Sequence, residues 1–187
     1  MVKKNACVFI SGKGTNLRNL ILKSRDYNFP ITIKLVVSNK INAQGIKYAK
    51  LNSIPYLIID SNKRDCENKI FNFIRVYKIS IICLAGYMRI ISRKFIQNFN
   101  KKIINIHPSL LPKFKGLNTF ERVLKNQEIK TGCTVHYVNE KLDSGYIVCK
   151  KSFFIKKKDN LDMIKKKTQK LEHLSFPEAI IKIYRYN

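Results

Sequence analysis

Apolar residues in this chain gather into short runs, and the segments between them carry helical spacing. Ala6-Cys7-Val8-Phe9-Ile10 is the first run; it ends in Ser11-Gly12-Lys13-Gly14-Thr15-Asn16, after which Leu17, Leu20 and Ile21 recur at i, i+3 and i+4. The pattern predicts a strand, a glycine turn and a helix start. Residues 31–38 are apolar and β-branched, 43–51 look helical, 54–59 form another apolar run, and 64–77 (from Arg64) fit an amphipathic helix. Ile79-Ser80-Ile81-Ile82-Cys83-Leu84 reads as a strand buried on both faces. Such strands alternating with helices predict an α/β, Rossmann-like, mostly parallel twisted sheet with helices on both faces.

The alternation continues less regularly. Ser92 can cap a helix reaching residue 99, 102–106 form a strand entering His107-Pro108, and a loop over 109–118 leads to a short helix at 119–126. Strands are predicted at 131–138 and 146–155, joined by Asn139-Glu140-Lys141-Leu142-Asp143-Ser144-Gly145. The last helix, about 160–184, contains Pro177, where a kink or break is expected because proline cannot donate to the preceding turn. Neither repeats nor a low-complexity linker divide the chain. Its 187 residues suit a single domain, with 1–100 and 101–187 as two halves sharing one sheet.

Composition changes this picture little. The hydrophobic fraction of 45% supports a packed core and excludes a disordered or collagen-like chain. Lys+Arg number 37 against 12 Asp+Glu, a formal charge of +25. A protein this basic attracts polyanions, so nucleic acid is a live alternative partner, although the lysines are dispersed in a way that suggests drift in composition. Cys7, Cys66, Cys83, Cys133 and Cys149 form no CxxC pair and read as reduced thiols rather than a metal site. The first apolar run is too short for a signal peptide, and no stretch approaches the ~20 apolar residues of a membrane span. A soluble cytoplasmic protein is expected.

Several residue groups could carry chemistry. The turn at 11–16 precedes a helix N-terminus, which binds anions through free N–H groups and the helix dipole. It is neither GxGxxG nor the Walker pattern, so it reads either as a phosphate site or as a tight strand-to-helix turn. Asn105 and His107, at i and i+2 on a predicted strand, point to one face, where they could donate to an oxyanion and move a proton. The alternative is a strand-end amide beside a satisfied histidine. Asp143 could bond only its own turn, or, if brought to His107, stabilise the imidazolium and raise its pKa. His136 reads as a hydrogen-bonded wall residue. Glu172-His173 could be a solvated pair, and Lys165-Lys166-Lys167 a solvated helix face or a contact for polyphosphate.

Taken together, four motifs resemble phosphoribosylglycinamide formyltransferase: Ser11-Gly12-x-Gly14-Thr15-Asn16-Leu17, Leu84-Ala85-Gly86-Tyr87-Met88-Arg89-Ile90, Asn105-Ile106-His107-Pro108-Ser109-Leu110-Leu111-Pro112, and Val135-His136-x-Val138 leading to Leu142-Asp143-x-Gly145. Their order and spacing fit across nearly the whole chain. The resemblance implies a formyltransferase fold and transfer of a formyl group from 10-formyltetrahydrofolate, a co-substrate, to the amine of glycinamide ribonucleotide in purine biosynthesis. It implies that Gly14, Thr15 and Asn16 bind the substrate phosphate and that Asn105, His107 and Asp143 are catalytic. Glu172 matches a carboxylate holding the glycinamide end. Met88, Arg89, Ile90 and Ile91 match the segment lining the folate pocket, to which Asn105 also belongs. Arg64 matches a folate-contacting arginine, with Lys63 as the alternative one position away. The 1–100 half then carries the phosphate site and the 101–187 half the catalytic and folate-binding residues.

The resemblance implies small-molecule partners only, no metal, no specific nucleic acid, no membrane, and a monomer or homodimer. Methionyl-tRNA formyltransferase and formyltetrahydrofolate deformylase share the formyl-folate motifs but normally carry an added domain, for which 187 residues leave no room. A basic nucleic-acid-binding protein would cluster lysines beside exposed aromatics. Two positions depart from the family: Asn118 stands where histidine is usual, and Lys115 where proline is common. An amide replaces hydrogen bonds but carries no charge, so reduced turnover or an altered pH profile is expected. The chain also stops at Tyr186-Asn187, short of the usual tail, with little functional cost expected.

Overall fold

A computed structural model describes residues 2–59 and 66–185. Seven strands are hydrogen-bonded in the order β3-β2-β1-β4-β5-β6-β7, and the chain divides into two compact units, one ending at Ile104 and the other beginning at Asn105.

The first unit alternates β1 (Lys4–Ile10), α1 (Thr15–Ser24), β2 (Ile31–Ser38), α2 (Ile46–Leu51), β3 (Tyr56–Ile58), α3 (Cys66–Val76), β4 (Ile81–Leu84) and α4 (Arg93–Phe99). Strand β1 pairs in parallel with β2 on one side and β4 on the other, and β2 pairs in parallel with β3. The apolar runs are continuous because the inner strands are covered on both faces: every residue of β4 and all of β1 from Ala6 onward is buried. Helix α1 buries Asn16, Leu17, Leu20 and Ile21, the spacing that marked it in sequence. Each such aliphatic side chain contributes about 1.5–3 kcal/mol on burial. Phe9 meets Phe95 edge-on at 6.2 Å, fastening α4 to β1. Helix α4 starts where the Ser92 hydroxyl accepts the Phe95 N–H at 3.0 Å. It ends where Asn100 turns left-handed.

The helix expected over 43–51 begins only at Ile46, because Ala43 and Ile46 close tight turns onto Lys40 and Ala43 before it. The start expected at Arg64 lies outside the described residues.

Strand β5 (Lys102–His107) begins in the first unit and ends in the second, which continues with α5 (Thr119–Lys125), β6 (Lys130–Tyr137), β7 (Ile147–Phe154) and α6 (Leu161–Arg185). Strands β6 and β7 are antiparallel, the departure from an otherwise parallel pattern of described pairs, and α6 packs against both. Asn160 caps α6 by accepting the Met163 N–H at 2.9 Å. The break expected at Pro177 does not occur: α6 runs uninterrupted through it. Ser175, Phe176, Pro177, Ala179 and Ile180 are all buried there, and this packing outweighs the hydrogen bond that proline cannot make.

All five cysteines are free thiols. No helix among the described residues is long and apolar enough to cross a membrane.

The β6–β7 pairing is close at Gly132, where an added Cβ would lie 1.9 Å from the Lys151 carbonyl oxygen. Replacing Gly132 with alanine is expected to destabilise the protein by about 3 kcal/mol or more, lowering Tm by roughly 6–12 °C. Gly12→Ala, with nothing within 4 Å of the new methyl, should move Tm far less. Calorimetry of the two variants distinguishes them.

Candidate active site

In the second unit, β5, β6 and the turn before β7 bring three side chains onto one carboxylate. Asn105 and His107 leave β5 on the same face. Asp143 comes from the turn with φ +46, a left-handed conformation that aspartate tolerates better than most residues. Its Oδ2 lies 3.3 Å from His107 Nδ1 and accepts the Gly116 N–H at 2.8 Å. Its Oδ1 accepts from Asn105 Nδ2 at 3.4 Å and lies 3.5 Å from His136 Nε2. Asn105 Nδ2 is also 3.2 Å from His136 Nε2. The cluster is nearly dry, with His107, His136 and Asp143 side chains 6%, 2% and 7% exposed.

Sequence reasoning gave His136 only a wall role and did not single out Gly116. The structure makes His136 an orienting residue. Its Nδ1 donates to the Tyr137 carbonyl at 2.8 Å, which leaves Nε2 as the acceptor for the Asn105 amide in the neutral ring. The signal for this was the alternation of Thr134 and His136 on β6, which sends both side chains to one side. Thr134 uses its hydroxyl to donate to the Ser109 carbonyl at 2.7 Å and to accept the Leu111 N–H at 3.1 Å, fixing the loop after His107.

Asp143 comes to His107 and pulls its pKa upward as expected, but the net shift is downward. Burial lowers it below the ordinary imidazole value, and although the Asp143 charge and the Phe114 carbonyl, 2.8 Å from Nε2, pull upward, burial wins. Both ring nitrogens face oxygen acceptors, which only the doubly protonated ring would satisfy fully; the ring therefore carries opposed demands. Asp143 shows the reverse balance. Burial pushes its pKa up, but the His136 contact, the Gly116 N–H and the His107 charge bring it below the usual carboxylate value.

Lys115 and Asn118 lie on the loop beside this cluster. Lys115 Nζ donates to Ser144 Oγ at 2.5 Å, joining the loop to the Asp143 turn. Asn118 is left-handed at φ +54 and precedes α5 without a side-chain cap. Glu172 is half-buried on α6, and its charge is one influence on the Cys133 thiol, which burial first of all pushes up to about 11.

The first unit holds the remaining expected residues. Gly14, at φ +70, is the entry to α1, and Thr15 and Asn16 begin the helix, whose first turn carries no acidic residue. No carboxylate of the helix thus offsets the positive end of its dipole. Glycine is required at 14 because a Cβ would lie 2.4 Å from Gly45 Cα. Met88 and Ile90 are 59% and 79% exposed beyond β4, Arg89 is exposed and Ile91 half-buried. Arg64 and Lys63 lie outside the described residues.

Residues 4–180 match the formyl transferase family, and the chain belongs to it. Within that family it is 38% identical to phosphoribosylglycinamide formyltransferase of Haemophilus influenzae, over 95% of this chain and 85% of that protein. It is 35% identical to the Bacillus subtilis protein of the same name over 98% and 96%. Against the human trifunctional purine biosynthetic protein adenosine-3 identity is 38%, and the chain spans 18% of that protein's length. The crystal structure of phosphoribosylglycinamide formyltransferase from Anaplasma phagocytophilum superposes with a TM-score of 0.93 at 34% identity, covering 99% of this chain and 88% of that one. These likenesses place the chain among the phosphoribosylglycinamide formyltransferases.

NMR titration of the His107 ring should give a midpoint below the ordinary value of about 6.5. Asp143→Asn should lower it further, since the carboxylate's pull on the proton is lost while burial remains; a rise in the variant would contradict the balance described.

Proposed function

We propose that this chain transfers the formyl group of 10-formyltetrahydrofolate to the amine of 5-phosphoribosylglycinamide, giving formylglycinamide ribonucleotide and tetrahydrofolate, in de novo purine biosynthesis. The observation that supports it most is the convergence of Asn105 and His107 on Asp143 in a chain whose relatives carry this activity.

In this reading the substrate's uncharged amine attacks the formyl carbon, the C–N bond forms, and the carbonyl electron pair moves onto oxygen. Asn105 and His107 donate to that oxygen. The contacts that now hold the Asn105 amide, 3.2 and 3.4 Å, are long, so a developing negative charge competes well for its hydrogens. The same charge favours the imidazolium that burial resists, so His107 takes a proton from solvent water as the charge appears and returns it when the tetrahedral intermediate collapses. Asp143 relays the proton from the new ammonium, through water, to the folate nitrogen as its bond to carbon breaks. Neither a metal nor a covalent enzyme intermediate is required by this chemistry; the protein supplies position and electrostatics.

Gly14, Thr15 and Asn16 bind the substrate phosphate, and Glu172 holds the glycinamide end. Met88, Arg89, Ile90 and Ile91, with Asn105, line the folate site, and Arg64 contacts the folate. The exposed Met88 and Ile90 side chains suit a site that a pterin or benzoyl ring covers. The protein is read as a cytoplasmic enzyme acting on small molecules as a monomer or homodimer.

With both substrates supplied, release of tetrahydrofolate should require the ribonucleotide. His107→Ala should lower kcat by about 10²–10³, the effect of removing one oxyanion donor. Hydrolysis of the donor without the amine, or no turnover by the unaltered chain, would refute the transferase reading.

A further inference from the structure

Ser11 is assigned to neither substrate above, yet its hydroxyl is used twice. The residue follows β1 directly, is 5% exposed, and immediately precedes the turn that carries Gly14, Thr15 and Asn16. It accepts the backbone N–H of Met88 at 2.8 Å and donates to Asn39 Oδ1, just past β2, at 2.5 Å. A hydroxyl has one hydrogen and two lone pairs, so donation to Asn39 fixes where the lone pairs point and presents one of them to Met88. The chain arriving at Met88 is anchored up to that point: the Ala85 N–H donates to the Phe9 carbonyl at 2.9 Å, and the Tyr87 ring meets Phe9 edge-on at 5.2 Å. At Met88 the side chain turns outward and the exposed stretch of Arg89 and Ile90 begins. Ser11 thus holds the backbone at the point where the chain leaves the sheet.

We infer that Ser11 is a positioning residue whose hydroxyl, set by Asn39, fixes the 88–91 stretch against the end of β1 and so governs affinity for the formyl donor. The inference rests on the formyl-transfer reading and adds to it a residue to which that reading gives no substrate contact. Its physical content is specific. Without the hydroxyl, the Met88 N–H and the Asn39 oxygen lose their partner in a part-buried place, and the outer stretch can move while the phosphate turn, held by Gly14 against Gly45, stays.

The test is steady-state kinetics with each substrate varied separately, for the unaltered enzyme, Ser11→Ala, Ser11→Thr and Asn39→Ala, with Tm measured alongside. Ser11→Ala should raise KM for 10-formyltetrahydrofolate about five- to tenfold, with KM for the ribonucleotide and kcat within about twofold. Ser11→Thr, which keeps the hydroxyl, should restore most of the donor affinity. Asn39→Ala should shift the same constant less. An unchanged donor KM in Ser11→Ala, or an equal rise in both KM values as general loosening gives, overturns the inference. If Ser11→Ala fails to fold, Asn39→Ala decides, and an unchanged donor KM there overturns it. Amide exchange at Met88 separates this idea from the functional reading: exchange should quicken in Asn39→Ala and Ser11→Ala whether or not formyl is transferred, and equal exchange in all forms removes the tie itself.

Discussion

A carboxylate taken almost wholly out of water must be satisfied by its surroundings, and Asp143 is satisfied by the groups proposed above to act in formyl transfer. The Gly116 N–H, the Asn105 amide and the His107 imidazole occupy its oxygens, and His136 Nε2, which accepts from the same amide, lies 3.5 Å from Oδ1, so one buried charge gathers three side chains and one loop. That charge would be costly alone. It is held below the usual carboxylate pKa because the donors around it outweigh burial. The local fold serves this arrangement: β5 presents Asn105 and His107 on one face, β6 adds His136, and a left-handed residue aims Asp143 at them.

The same economy of contacts shapes the first unit. Gly14 and Gly45 approach so closely that neither tolerates a side chain, and the Gly45 N–H donates to the Gly12 carbonyl at 2.9 Å. The turn before α1 is therefore fixed by backbone contact without any side-chain cap. The large basic excess takes no comparable part. Lys113, Lys151, Lys165 and Lys182 pair with nearby acids, and contacts of this kind at the surface add little to stability.

Much of the fold was legible because its strands are buried on both faces and read as unbroken apolar runs, as at Ile81–Leu84, and because helix ends such as Ser92 carry explicit caps. Pro177 misled because local propensity cannot see the β6 and β7 surfaces on which α6 lies. The paired roles of Asn105 and His107 were visible as an i, i+2 spacing. The role of His136 was not, since its tautomer depends on a backbone carbonyl; the upward pull of Asp143 on the His107 pKa was foreseen, but the burial that outweighs it was not, because sequence shows a partner's charge and not the depth of burial. Ser11 was hidden for a related reason: its partners, Asn39 and Met88, are distant in sequence.

Single-turnover formyl transfer by Asn105→Ala, Asp143→Ala and the double variant tests most directly whether the Asp143 carboxylate and its neighbours act as one unit. The account predicts strong non-additivity, the double variant losing about as much rate as the worse single one. Losses that multiply independently would contradict it.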